Sequence, residues 1–497
     1  RVWESIMNYT QKNLLSEIIF TPIIDNQQNT LNTSNRIEKK EGLPSSSDSV
    51  ALLGNREIGK RYENIYKKYL RKHIAQYSLA VGTIEDNPLE KRRQKNTLSP
   101  AEYKLKEKNS KLLKKINQSL CSCGRDVHFM NFSKVVDFKE TPNSRNIKGL
   151  KSCGNNSACP VCASKLSFVR GNQLKELMEA GRKNNRSYMM VVTTIPHKPG
   201  EPLYRTLNQV IYMSRNIFNS REYKKFKELT SLRFVHGGLE NMVSFKNGKV
   251  DWHPHKNYLL DFDIPIREVL NRLGLKNELD LRMYVSTMMT SLGQKYLDSQ
   301  SVDKKLLMPY YQQEEKSKRI HIKAGVSASL EFDDGYIAKW GMDAEMTSGI
   351  YKDGRFSESF HPFNLLDFID SDNEETTKEQ KYQCTMAFQE FVMASRGKWW
   401  FYFAVGAVDY YNEYYHTMLK VKKDEEELAA LEDKGDLIYS LTFEEWTDFE
   451  PNPKKIGFVL SLPTREDIVD FIYQHIKDNR NKVILNKINS INQKLRL

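Results

Sequence analysis

The stretch GGLENMVSFKNGKVDWHPHKNYLLDFDI, residues 237–264, decides the fold. Asn247-Gly248 sits between two apolar segments, the strongest short-range signal for a tight β-hairpin. Residues 237–245 therefore read as one strand and the segment from Asp251 as its partner. Strand side chains alternate faces, so His253, His255 and Asn257 point the same way, about 7 Å apart at alternate positions. Glu240, in the preceding strand, joins them if the hairpin pairs. Imidazole nitrogens plus a carboxylate, with positions left open, suit Mg²⁺ or Mn²⁺ poised on a phosphate, and imidazoles also admit Zn²⁺. The plainer reading is a pair of surface histidines beside Trp252.

Working outward, SYMMVVTTIPH (187–197) is β-branched and apolar and reads as a buried strand. Residues 203–230 read as helix, as do segments across 266–318. RIHIKAGV (319–326) reads as a further strand and DDGYIAKWGMDAEM (333–346) as a helix. Upstream, Ser99-Pro100 with Glu102 opens a helix towards Leu120. SKLSFVRGNQLKELMEAGRK reads as a helix ending near 181–183. Strands flanked by helices, with one hairpin between neighbours, predict an α+β fold with an antiparallel or mixed sheet. The polar tract QQNTLNTSNRIEKKEGLPSSSDS predicts that residues 1–97 are largely disordered, with GKRYENIYKKYLRK (59–72) a basic helix bearing a solvated face. Thr442 and Glu445 form a capping box in LTFEEW. HPFNLLDFID (361–370) echoes the histidine strand but lacks its second histidine, and GKWWFYF (397–403) reads as an apolar strand rather than a base-stacking platform.

The 497 residues carry 76 Lys and Arg against 63 acids, a formal charge of +13. Such an excess argues about partners rather than fold, with nucleic acid the first candidate polyanion and a membrane surface the second. No apolar run reaches 18 residues, so no membrane span is expected. No secretory signal is visible, although the sequence opens on Arg1 rather than Met.

Five of the six cysteines lie between 121 and 162, and Cys384 stands alone. The clustering predicts a metal site in a reducing compartment rather than a disulfide scaffold. CPVC, Cys159 to Cys162, is the sharpest element. Zn²⁺ prefers four sulfur or nitrogen ligands in closed structural sites, and the choice falls on Cys123, Cys153, Cys159 and Cys162. Cys121 is a substitute for Cys123, and His128 an alternative ligand.

In DDGYIAKW, Tyr336 and Lys339 share a helix face. A phenol can act as a covalent nucleophile, and a neighbouring ammonium favours the phenolate and offsets phosphoryl charge. The order TTIPH, then HPHKNYLL, then YIAK resembles the rolling-circle replication initiators of bacterial plasmids, a family of HUH-type endonucleases. CGNNSACPVCASKLSFVRGNQLKEL, YIAKWGMDAEMT and DEEELAALEDKGDLIYSLTFEEW extend the resemblance across roughly 121–450.

The resemblance implies an antiparallel-sheet HUH nuclease core flanked by helices. A small zinc module would precede it and a mostly helical C-terminal region follow. The expected divisions are 1–97 (N-terminal region), 98–175 (helix plus zinc module), 176–350 (endonuclease) and 351–497 (accessory region). It further implies a cytoplasmic bacterial enzyme that nicks and rejoins single-stranded or hairpin DNA at the plasmid's double-strand origin. Tyr336 would retain the 5′ phosphate while the freed 3′ hydroxyl primes synthesis. Host helicase, polymerase and single-strand-binding protein would be its partners. No GxxxxGK[ST] phosphate loop is present.

The family usually reads His-Pro-His-x-His, and here the third position is Asn257. Asn257 ligates through its amide oxygen, or His253 pairs with His255, or the chain binds DNA without nicking it. Many members also carry tyrosine where Trp340 stands, leaving Tyr336 as the single nucleophile, with Asp343 or Glu345 a candidate to activate a terminating water. The rival readings are a transposase or relaxase of the same chemistry, and a non-catalytic zinc-dependent DNA-binding regulator.

Overall fold

In the computed structural model the described residues are 63–80, 100–128, 135–141, 144–195, 197–299, 311–313, 320–322, 326–329, 359–370, 376–398, 401–421, 426 and 430–495. They form an α+β fold built on antiparallel sheets.

The hairpin stands at its centre. β4 (Leu232–Lys246) and β5 (Lys249–Phe262) pair antiparallel along nearly their whole length. Asn247 and Gly248 both take positive φ, 53° and 70°, the geometry that matches a two-residue turn to strand twist. β3 (Ser187–Thr194) pairs with the other edge of β5, and the short β8 (Val326–Ser329) pairs with β3. β9 (Phe401–Tyr402) lies against β4 at Gly237 and Gly238. The order is β8-β3-β5-β4-β9, every pair antiparallel.

The even-numbered side chains of β5 face a helical layer. The helix Leu203–Asn219 buries Leu203, Leu207, Val210, Met213 and Ile217, a single stripe at helical spacing. Glu278–Ser299 packs beside it at Gly293, where an added Cβ would stand 3.1 Å from the Met213 sulfur. The helix Lys378–Ser395, opened by the Thr377–Gln380 capping box, completes this layer. Its buried Glu390 accepts from Trp252 Nε1 at 3.0 Å and from the Leu203 backbone N–H at 2.6 Å. On the opposite face, the lower half of the sheet is closed by Pro160–Lys183 and Ala407–Tyr415 around Tyr188, Leu259 and Tyr411. Buried Arg186 pairs with buried Asp261 at 2.8 Å, and Asp261 also accepts from Tyr411 at 3.0 Å. Asp263 takes a second bond from Arg186, and four aromatic rings surround the guanidinium.

A second sheet has the order β10-β1-β2, where β1 is Val135–Thr141, β2 Ser144–Lys148 and β10 Asp436–Thr442. β10 leads directly into a helix capped by the expected Thr442–Glu445 box. The sequence divisions at 175/176 and 350/351 are therefore crossed. β10 belongs with β1 of the cysteine segment, and β9 extends the central sheet. One apolar core runs from Ile65 to Ile476.

Other expectations are corrected. Residues 63–78 form a helix that buries Ile65, Tyr69, Ile74 and Ala75 in that core. Its Arg71 and Lys72 are buried rather than solvated, Arg71 paired with Asp367 and Lys72 bonded to the Cys123 carbonyl. The remainder of 1–97, apart from residues 79 and 80, lies outside the described residues. Strand β6 (Tyr311–Gln313) interrupts the region read as helix, and pairs with β7 (Ile320–Ile322). The strand expected at 319–326 is two pieces, β7 and β8, of which β8 joins the central sheet. The 361–370 echo is a 3₁₀ turn and a short helix; His361, buried and pushed down to about 3 by that burial, caps the turn. The helix expected at 333–346, with Tyr336, Lys339, Trp340, Asp343 and Glu345, lies outside the described residues. Among the described residues, no helix is long and apolar enough to cross a membrane.

Candidate metal centres

Two donor sets stand out. The first gathers Cys123, Cys153, Cys159 and Cys162, whose sulfurs lie within 4.8 Å of one another. Cys123 ends its turn after the helix Pro100–Ser122, and Gly124 follows at φ 64°. Cys153 is followed by Gly154 at φ 59°. These glycines let the backbone reverse beside each thiol. Cys159 caps the helix Pro160–Lys183, receiving the Cys162 N–H, so CPVC presents both sulfurs from one helical turn. The separations 3.5 Å (Cys123–Cys162), 3.6 Å (Cys153–Cys162) and 3.9 Å (Cys123–Cys159) exclude disulfides. A tetrahedron with Zn–S of about 2.3 Å has edges of about 3.8 Å. The sulfurs thus fit a closed tetrahedral ion such as Zn²⁺.

Lys72 lies behind the cluster. Burial alone would lower its pKa, but attraction to Cys123, Cys159 and Tyr69 prevails and raises it. Hydrogen bonds from Cys153, Cys159 and Cys162 outweigh burial and hold the Cys123 thiol well below its ordinary value. Cys121 bonds to Asn117 instead, and His128 lies outside the group of four.

The second set lies on the upper half of the sheet, on the face opposite the Trp252 layer. Glu240 stands directly across from His255, as the hairpin requires. Gly238 faces Asn257, so no side chain from that position crowds the amide. Asn257 Nδ2 donates to Glu240 Oε2 at 3.0 Å. Asn257 Oδ1 and His255 Nδ1 are enclosed, and neither has a hydrogen-bond partner among the described residues. A buried polar atom left unpaired costs about 1–3 kcal/mol, so both atoms favour a partner, whether water or an ion. Burial, with help from His197, lowers the His255 pKa against the pull of Glu240, and so favours the neutral imidazole an ion requires.

His253 shares the face but makes its contacts with Asp251, Ser244 and His197. Its Nε2 lies 3.2 Å from both Asp251 Oδ2 and Ser244 Oγ, and its ring meets the edge of His197. Burial and His197 push it down to about 4. The four residues expected to share one ion thus divide, with His255, Asn257 and Glu240 together and His253 beside Asp251. Asp251 had no role in the sequence reading, yet it lies two residues before His253. Extending the alternation one step toward the turn reaches it.

Compared with models of known protein families, with curated proteins and with solved structures, the chain matches none.

Proposed function

We propose that the protein is a metal-dependent DNA nickase and strand-joining enzyme that initiates plasmid rolling-circle replication. The observation that carries this reading is the pair of unpartnered, enclosed donor atoms on His255 and Asn257, with Glu240 across the hairpin. Nitrogen and oxygen donors of this kind match a hard divalent ion, and an amide oxygen takes the place of the family's third histidine. When bound, Mg²⁺ or Mn²⁺ would act as a Lewis acid on the scissile phosphate. His255, Asn257 and Glu240 would hold it. Tyr336 would attack the phosphorus through its phenolate oxygen. The phenol's proton passes to solvent, the new P–O bond to tyrosine forms as the bond to the 3′ oxygen breaks, and that oxygen takes a proton from water to become the hydroxyl primer. Lys339 would favour the phenolate. Bond exchange conserves the phosphodiester energy, so the strand can be rejoined without ATP. The four cysteines would hold a structural Zn²⁺, and the +13 charge suits a DNA partner.

The test is covalent capture. The protein is mixed with single-stranded DNA spanning the nick region of its own replicon, plus Mn²⁺, and run on a denaturing gel beside Tyr336→Phe. A protease-sensitive adduct that needs both Mn²⁺ and Tyr336 is expected. No adduct, with DNA binding intact, overturns the nickase and leaves the zinc-dependent DNA-binding regulator. The Asn257–Glu240 hydrogen bond favours that second reading, because it engages the carboxylate without an ion.

A further inference from the structure

We propose that His197, Asp251 and His253 form a second divalent-cation site, distinct from the His255–Asn257–Glu240 set and selective for Mn²⁺, Co²⁺ or Zn²⁺ over Mg²⁺. The strands bring the three together. Thr194 pairs with His255, so the chain leaving β3 runs on beside the first half of β5 and carries His197 to Asp251. Asp251 and His253 occupy alternate positions of β5 on one face. All three ligand atoms lie within 4.8 Å of one another.

The distances match adjacent ligands. Around an ion with bonds of about 2.1 Å, neighbouring donors sit about 3.0–3.4 Å apart. His197 Nε2 is 3.2 Å from Asp251 Oδ1, and His253 Nε2 is 3.2 Å from Asp251 Oδ2. Two imidazoles and one carboxylate select borderline transition ions over Mg²⁺, which prefers oxygen.

Hydrogen bonding at His197 gives a second, independent argument. Its Nδ1 lies 3.2 Å from the Ile195 carbonyl oxygen, which can only accept. Nδ1 therefore carries a proton, and Nε2 is the nitrogen turned toward the Asp251 carboxylate. Asp251 is 98% buried by side chain, its exposure being 2%, and its Oδ1 has no hydrogen-bond partner among the described residues. A cation between the two satisfies both atoms. His197 and His253 keep 13% and 19% of their side-chain surface exposed, so solvent can reach the ion and fill its remaining positions.

One group competes. Lys246 Nζ sits 2.6 Å from Asp251 Oδ2 and balances the carboxylate. Its side chain is 54% exposed, so it can swing into solvent when an ion arrives. Ser244 Oγ, 3.2 Å from His253 Nε2, must likewise release that nitrogen or accept from elsewhere.

The experiment measures ion binding, not nicking, so its failure is separate from failure of the proposed function. Full-length protein, loaded with zinc at the cysteines, is titrated with Co²⁺ and followed by absorption and calorimetry. In Asn257→Ala, one Co²⁺ per chain without sulfur-to-cobalt bands is expected to remain. Adding His197→Ala or Asp251→Asn should weaken that ion at least tenfold, with the thermal melt confirming a folded chain. Lys246→Gln should tighten it severalfold. Mg²⁺ in large excess should fail to displace it. Absence of any non-sulfur Co²⁺, its loss with Asn257→Ala alone, or its indifference to His197, Asp251 and Lys246 would each overturn the proposal.

Discussion

The cysteine cluster and the histidine face are both sets of metal-ligating side chains, yet they are built oppositely. Three of the four cysteines are buried, their sulfurs stand at mutual contact, and Lys72 supplies a cation from behind. Every coordination position of a tetrahedral ion is filled by protein. On the sheet, donor atoms remain unmatched at His255, Asn257 and Asp251, and the histidines keep some exposure. A closed set secures folding and an open one keeps positions for a reacting group. The sheet differs along its length as well: its lower half ends in the buried Arg186–Asp261 ion pair with Tyr411, and its upper half in the histidine face.

The sharpest way to break this comparison is to remove the closed ion. Cys159→Ser, or a strong chelator, should release the zinc and unfold the cysteine segment. Structural zinc contributes about 10–16 kcal/mol of apparent binding energy in small zinc modules, more than most domains have in total stability. Elemental analysis and calorimetric unfolding report it; a chelated chain melting like the parent would make the cluster incidental. Next in size, Arg186→Ala leaves Asp261 buried without its ion pair, and should cost about 3–5 kcal/mol in urea unfolding. A loss under about 1 kcal/mol would mean that Asp261 finds other compensation when Arg186 is removed.

Third comes Glu390, pushed up to about 7 from 4.5 by burial, against the hydrogen bonds from Leu203 and Trp252. An acid raised in the folded state adds stability that is fully present below its unfolded pKa. That stability is lost as pH rises through the folded value. The window is therefore about pH 4.5 to 7, and the limiting loss about 3 kcal/mol. Subtracting the pH–stability curve of Glu390→Gln should leave this slope; parallel curves would count against it. Smallest in stability is Asn257→His, which places an imidazole facing Gly238. Unfolding should move by less than about 1 kcal/mol, while Mn²⁺ affinity rises about tenfold. Unchanged affinity would exclude position 257 from the ion.

Much of this was legible. Asn247-Gly248 announced the hairpin, and alternation then placed His253, His255 and Asn257 on one face with Glu240 opposite. The cysteine spacing pointed to four thiols but left Cys121 as a substitute for Cys123, and the structure brings Cys123 into the group. Less was visible where the deciding partner is remote in sequence. Nothing local to Lys72 says that its ammonium is buried against Cys123, because that contact spans 51 residues. Nor does the composition of β10 mark it as the partner of β1. His197 went unassigned because its meeting with Asp251 depends on how far the chain runs past the end of β3.

The pairing of β1 with β10 has a consequence for how the chain folds. The four cysteines span only residues 123–162, so an ion that fits them can be captured early, from local contacts. The sheet beside them cannot close until Val135 meets Thr442, across more than 300 residues. Non-local strand pairing is slow because loop closure precedes its reward. On the ribosome the cysteine group would therefore assemble first and wait, half-supported, until Thr442 has emerged to finish its sheet.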